Sequence, residues 1–297
     1  SKYLKRIVAP SGTDEPFRYI VEAHYGASDH EVFNDWGVQV PGVMMITWPD
    51  MYYHSSNDRP VNCDPTQLKR AAVIGAAAAY TIVIADNDMA KSIAGEIAGN
   101  AAKRIGYQLN RGLDLVRNSN KENFLSESKK ALGFIEASVL NEKETIATVA
   151  ELTANDSRST EYIISLQKSV DELGISLTDV LRQSIEFKSK EFLVDFSSDL
   201  SELEKKALSI VPDQTKKVKE LSYRGYSYVI RGASKEIKEK YPYSNIADTR
   251  ELCRLADGNH NVLEIKKMLD TQESKESDLQ DILNYLNMLQ ALELLTF

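Results

Sequence analysis

The chain has 297 residues, 42% of them hydrophobic and 27% charged, ordinary usage for folded protein with room for about two domains, which argues against wholesale disorder or a membrane-embedded chain. The formal charge of −8, from 44 Asp and Glu against 36 Lys and Arg, disfavours nucleic acid as a partner, because phosphate affinity rests on clustered cations. Cys63 and Cys253 show neither pairing nor zinc-motif spacing and decide little about redox environment.

The chain opens on Ser1 with neither an initiator Met nor a charged-then-apolar leader, so it is expected to continue upstream in its parent. The first sixty residues differ in character from the rest, holding both tryptophans and three of the 4 histidines. Tyr19–Ala23 and Val43–Thr47 read as short buried strands separated by Gly, Pro and Asp turns, an α/β pattern. Asp64 then caps a helix that has Pro65 at its first position and carries Leu68, Ala72, Ile74 to Ala79 and Ile82. Its charge-free run, Ala71 to Ala85, is shorter than the roughly 20 apolar residues of a bilayer span, and so predicts a buried helix and no transmembrane segment.

From about Asn87 the apolar residues recur at three- and four-residue spacing, with Pro212 and Pro242 as interior breakers, and the chain reads as almost entirely helical. Ile93, Ile97, Ala101, Ile105 and Leu109 form one stripe, and Phe124, Ala131, Ile135 and Val139 begin a second, both expected in helix-to-helix packing. Asn118-Ser119-Asn120 and Asn155-Asp156-Ser157 read as turns, and Ser197-Ser198-Asp199 as the start of another charged helix. The last stretch, Ser244 to Phe297, predicts three short helices in a winged-helix-like order, too acidic for a DNA reader and better suited to protein contact. His260, within Asp257-Gly258-Asn259-His260-Asn261, reads as an exposed loop residue.

One segment carries a pointer to chemistry. In Trp48-Pro49-Asp50-Met51-Tyr52-Tyr53-His54-Ser55, a histidine stands just past the apolar run Val43 to Ile46, on a turn where an imidazole can face a cleft and take a metal. Upstream lie Ser28-Asp29-His30-x-x-Phe33 and Gly37-Val38-x-Val40-Pro41-Gly42; downstream lies Asp64-Pro65-x-x-Leu68-Lys69. In that order these features resemble the last metal-binding loop of the di-zinc exopeptidases, the family that holds aminopeptidase Y, glutamate carboxypeptidase and glutaminyl cyclase.

The resemblance implies two zinc ions bridged by a carboxylate and a water, the metals acidifying that water and polarising the peptide carbonyl while a glutamate acts as general base. Of the family's ligands, His54 alone is visible; the others would lie upstream of the position matching Ser28. The chain by itself is therefore expected to bind zinc poorly and to hydrolyse nothing. By the same resemblance Tyr53 would donate to the developing oxyanion, with a packed tyrosine at a sheet edge as the alternative and Tyr52 as a competitor. Asp29 would belong to the hydrogen-bond network around the metals or else cap a turn, and Phe33 and His30 would flank the substrate's side-chain pocket or else be plain core.

The resulting expectation is an α/β fold followed by a mostly α one. Residues 1–86 would be the C-terminal portion of a phosphorylase/hydrolase-like α/β sandwich, 87–243 a helical region, and 244–297 a small winged-helix-like module. The implied function is part of a periplasmic or secreted zinc aminopeptidase that hydrolyses N-terminal peptide bonds. Its partners would be a peptide substrate, the missing N-terminal half of its own catalytic domain, and a protein bound through the helical region. Two alternatives are a glutaminyl-cyclase-like acyltransferase and a non-catalytic helical interaction protein with a remnant peptidase segment. The zincin helix, the glycine-rich phosphate loops and the Gly-x-Ser-x-Gly elbow are absent from the sequence.

Overall fold

A computed structural model describes residues 19–21, 28–153, 156–273 and 275–297. The chain divides into two compact units, one formed by Ser1–Glu31 with Gly42–Ala85 and the other by Val32–Pro41 with Asp86–Phe297.

In the first unit the dominant element is α2 (Pro65–Ile84), preceded in the chain by the short α1 (His30–Phe33). Its start follows the sequence signal: the Asp64 carboxylate accepts from the Thr66 N–H at 2.8 Å and Pro65 occupies the first helical position, which satisfies donors that the first turn leaves free. Its burial does not follow. No α2 residue is buried, and Val83 is 82% and Ile82 60% exposed, so the expected buried helix stands uncovered.

The expected α/β sandwich is not found. The described residues are 67% helical, and among them the strands are β1 (Asp213–Gln214) and β2 (Leu295–Thr296), both in the second unit. Val43–Thr47 and Tyr19–Val21 carry strand-forming residues but no strand geometry, because a strand exists only where a neighbour supplies its ladder of N–H and C=O groups. Glu22 and Ala23 of the first run lie outside the described residues.

In the second unit three long helices, α3 (Asn87–Asn118), α4 (Phe124–Thr148) and α5 (Ser157–Phe192), bury a shared core of Ala94, Ala101, Ile105, Phe124, Ala131, Ile135, Ile163, Leu181 and Ile185. These are the stripes of the sequence; Ile93, Ile97, Leu109 and Val139 pack partly buried at its margin. Gly174 of α5 admits a close crossing, since a Cβ there would stand 2.5 Å from Val139 Cγ2. Asp156 caps α5 through the Ser159 N–H at 2.9 Å; Asn155 of the same predicted turn lies outside the described residues. The next helix, α6 (Glu202–Leu208), begins later than Ser197-Ser198-Asp199 suggests, because Ser201 and Glu204 form the reciprocal capping box that starts it.

A second core gathers α6, α7 (Lys216–Leu221), α8 (Gly225–Arg231), α9 (Lys235–Lys240), α10 (Thr249–Leu255), α11 (Val262–Gln272) and α12 (Leu279–Ala291). The three helices expected after Ser244 are α10 to α12. The winged-helix-like module does not hold. Their core, with Leu252, Ile265, Leu269, Ile282 and Leu286, continues into Ala207, Val218, Tyr226 and Trp36, and the ladder found among the described residues, Asp213 with Thr296 and Gln214 with Leu295, joins the last residues to ones well before Ser244. Apolar continuity places the boundary of this core, which a count of helices in the last stretch cannot reveal.

His260 is a further correction. It is 6% exposed; its Nδ1 lies 3.0 Å from Asp257 Oδ1 and its Nε2 2.7 Å from Glu144 Oε1 of α4. These two carboxylates hold its pKa up, to about 10. A polar turn looks solvated in sequence, but this one is closed over by a helix more than a hundred residues earlier.

Candidate functional site

The turn that carries His54 is built by local hydrogen bonds. Asp50 accepts the Tyr52 N–H at 2.8 Å, Ser55 Oγ donates to the Tyr52 carbonyl at 2.7 Å, and Asn62 Nδ2 donates to the Asn57 carbonyl at 2.6 Å. Asx and Ser turns of this kind shape a loop without help from a neighbouring element. The Trp48-Pro49 bond is cis, and His54 has the left-handed φ of 57°. The imidazole stacks on Tyr53 at a centroid distance of 3.9 Å, and Tyr53 meets the edge of Trp48 at 5.3 Å. All three rings remain exposed.

An exposed imidazole on a shaped turn can donate to a metal, and Tyr53 beside it offers a phenol. The structure thus brings together two of the five residues singled out in the sequence. Asp29 is exposed and precedes α1, whose first residue is the half-buried His30. Phe33, 51% exposed, belongs to the second unit, where its carbonyl accepts the Val40 N–H at 2.7 Å. Among the described residues no group of three or more His, Cys, Asp and Glu side chains could hold a metal ion. A zinc site takes three or four protein donors, so the described residues do not by themselves fit zinc.

Other groups with chemical potential have structural partners. Arg104 donates to both carboxylate oxygens of the buried Glu142 at 2.5 and 2.6 Å, beside a cavity of about 450 Å³ lined by Met89, Ile93, Ile97 and Thr145. Cys253 is buried, and burial pushes its thiol up to about 12, which makes it inert as a nucleophile. Sequence reading missed Asp35 and Trp36, both buried in the second unit. Tyr226 Oη donates to Asp35 Oδ2 at 3.1 Å across 191 positions, a pairing for which the sequence holds no local signal.

Comparison with known proteins bears on the N-terminal part. Residues 1–79 match the family model of peptidase family M28. No curated protein and no solved structure matches the chain. The matched residues include Asp29, His30, Phe33, Tyr53 and His54 as well as the capped start of α2. Over its N-terminal 79 residues, about a quarter of its length, the chain is therefore similar to the M28 peptidase family.

Proposed function

We propose that this segment is the carboxy-terminal stretch of the catalytic domain of a zinc-dependent exopeptidase, an aminopeptidase that hydrolyses N-terminal peptide bonds. The observation that carries the reading is the match of residues 1–79 to peptidase family M28, whose peptidases are generally zinc-dependent. Two features support it. His54 presents an uncovered imidazole on a turn that local hydrogen bonds define, and the apolar sides of α2 have no cover, as a helix belonging to a larger domain would show when viewed without the rest of it.

In this reading His54 supplies one metal donor and Tyr53 a hydroxyl for the oxyanion. Asp29 steadies the surrounding hydrogen bonds, and His30 and Phe33 border the side-chain pocket. The remaining donors and the general base come from polypeptide outside these 297 residues, and the protein works in the periplasm or outside the cell. Zinc titration of the parent polypeptide tests this: His54→Ala should lower affinity at one metal position and abolish release of N-terminal Leu from a peptide, whereas unchanged stoichiometry and turnover overturn it. Product analysis on Gln-initiated peptides separates hydrolysis from cyclisation.

A second reading, a helical interaction protein with a remnant peptidase segment, is favoured by the lack of a donor cluster among the described residues. It predicts no zinc dependence in the parent polypeptide.

A further inference from the structure

Charge is spread unevenly along the helical unit. Residues 216–243 hold eight Lys and Arg against three Asp and Glu, a formal +5 inside a chain of −8, so the other residues together carry −13. The stretch forms α7, α8 and α9. Its apolar side chains turn inward: Val218 and Tyr226 are buried, and Leu221, Val229, Ile230 and Ile237 pack against the same core. The cations stay outside. Lys216, Lys219, Arg231, Lys238 and Lys240 are exposed, and among the described residues none of these five is ion-paired, whereas Lys217 and Lys235 pair with Glu293 and Glu239.

The outer side of α8 is held in order before any partner arrives. Tyr228 is 70% exposed, and Arg231, one turn later on the same face, lays its guanidinium over the phenol ring at 4.7 Å while its Nε donates to the Ser227 carbonyl at 3.3 Å. The Nη groups of Arg231 have no protein acceptor among the described residues. Arg224, at the start of the helix, lies over Tyr223 at 5.2 Å. Lys238 Nζ donates to the Arg231 carbonyl at 2.9 Å, which draws the cationic α9 against the end of α8. A guanidinium stacked on a ring has already lost much of the freedom that binding would otherwise remove.

Three kinds of anionic partner suit a cationic face, and the chemistry here separates them. A nucleic acid stacks its bases on open aromatic faces, but the rings of Tyr223 and Tyr228 each carry a guanidinium, and a long phosphate backbone would run on over a molecule that is otherwise strongly negative. An anionic membrane surface is held by inserted aliphatic or tryptophan side chains as well as by charge, whereas the exposed large apolar residues of this stretch are the tyrosines 223, 228 and 243. A short acidic polypeptide meets neither objection. Its carboxylates match the planar fork of a guanidinium bidentately, and Tyr with Arg is the pairing that interfaces between proteins favour.

We propose that α7 to α9 form a docking surface for an acidic polypeptide segment, with Arg231 and Arg224 receiving its carboxylates, Tyr228 packing against its stems, and Lys216, Lys219 and Lys238 supplying the field that draws it in. The surface lies wholly within the second unit, and the inference goes beyond the peptidase reading and does not depend on it.

Fluorescence anisotropy of the full chain, without metal, tests the proposal with a short fluorescein-labelled peptide of alternating Asp and Glu, beside a single-stranded oligonucleotide of the same charge and vesicles of phosphatidylcholine with phosphatidylserine. The peptide should bind, and binding should weaken as salt is raised. Arg231→Gln combined with Lys238→Gln should weaken it about tenfold, the scale of two exposed ion pairs. Arg231→Lys, which keeps the charge and removes the fork, should cost about threefold. Lys168→Gln on α5, an exposed ion-paired residue of the same unit, should leave binding unchanged. Where the α8 and α9 variant does not fold, Lys216→Gln combined with Lys219→Gln on α7 should weaken binding about fivefold. A peptide that does not bind, or that binds the folded variants as tightly as the unaltered chain, overturns the docking surface. Tighter binding of the oligonucleotide, or binding of vesicles in place of the peptide, overturns the acidic polypeptide as its partner. Because the readout needs no zinc, such a failure leaves the peptidase reading standing, and a failed zinc titration leaves the docking surface standing.

Discussion

Isoleucine and valine are treated differently in the two units. In the helical unit Ile105, Ile282 and Val218 are fully buried; in the first unit Val73, Ile74, Val83 and Ile84 of α2 are between 44% and 82% exposed, and Glu31 is the one buried residue among those described. Both units contain well-capped helices, so the contrast does not come from local signals. Capping and propensity decide where a helix starts, but most of its stability in water comes from packing an apolar face. The helical unit supplies its own packing partners, with long-range pairs such as Arg104 with Glu142 and His260 with Glu144. The first unit, much of which is similar to a peptidase family, has a surface that still has apolar area to cover.

The sharpest break of this comparison comes from truncating core side chains. Ile282→Ala or Ile105→Ala should each cost about 2–5 kcal/mol in denaturant unfolding, by lost transfer energy plus a cavity, and a loss below about 1 kcal/mol would mean that these cores are not cooperative. Arg104→Ala should cost about 2–3 kcal/mol, less than a fully buried pair because the Arg104 side chain is 51% exposed while that of Glu142 is 2% exposed. Urea midpoints of Arg104→Ala and of the double variant with Glu142→Leu would measure it, and the double variant should recover much of the loss.

A smaller, pH-dependent effect concerns His260. Its folded pKa is raised from 6.5 to about 10, chiefly by Asp257 and then by Glu144, so the folded state holds the proton more tightly than the unfolded one. Stability from this ion-paired histidine is fully present below about 6.5 and is lost as pH rises through about 10. Melting temperature should fall over that window, and His260→Gln should flatten the fall; equal slopes in both proteins would remove His260 as the cause.

Gly99→Ala should act in the opposite direction. Nothing lies within 4 Å of the added Cβ, so helix propensity alone applies and should stabilise α3 by about 1 kcal/mol. The smallest effect is expected from Val83→Ala on α2, within about 0.5 kcal/mol in this chain. A cost of about 1 kcal/mol or more would instead show that α2 is covered in solution.

Helices and their ends were legible because their signals are local. Asp64-Pro65 and Ser201 with Glu204 each act within four residues, and the stripe of Ile97, Ala101 and Ile105 needs only the 3.6-residue period to be read. The turn of His54 was legible for the same reason: Asp50, Ser55 and Asn62 close it within a dozen positions. What failed was whatever depends on a partner far along the chain. Val43–Thr47 has strand composition but no strand beside it, and His260 sits in a polar turn that Glu144 covers.

By itself, then, the sequence determined the helical character from Asn87 onward, the capped start of α2 and a peptidase-like order of residues around His54, since each is written in neighbouring side chains. Tertiary structure alone decided that the α2 surface stays uncovered, that the last three helices share a core with Ala207, Val218 and Tyr226, and that Trp36 is among them. The physical reason is that burial belongs to pairs of surfaces: a side chain's hydrophobicity is known from its identity, but what meets it is known only once distant segments of the chain have been placed.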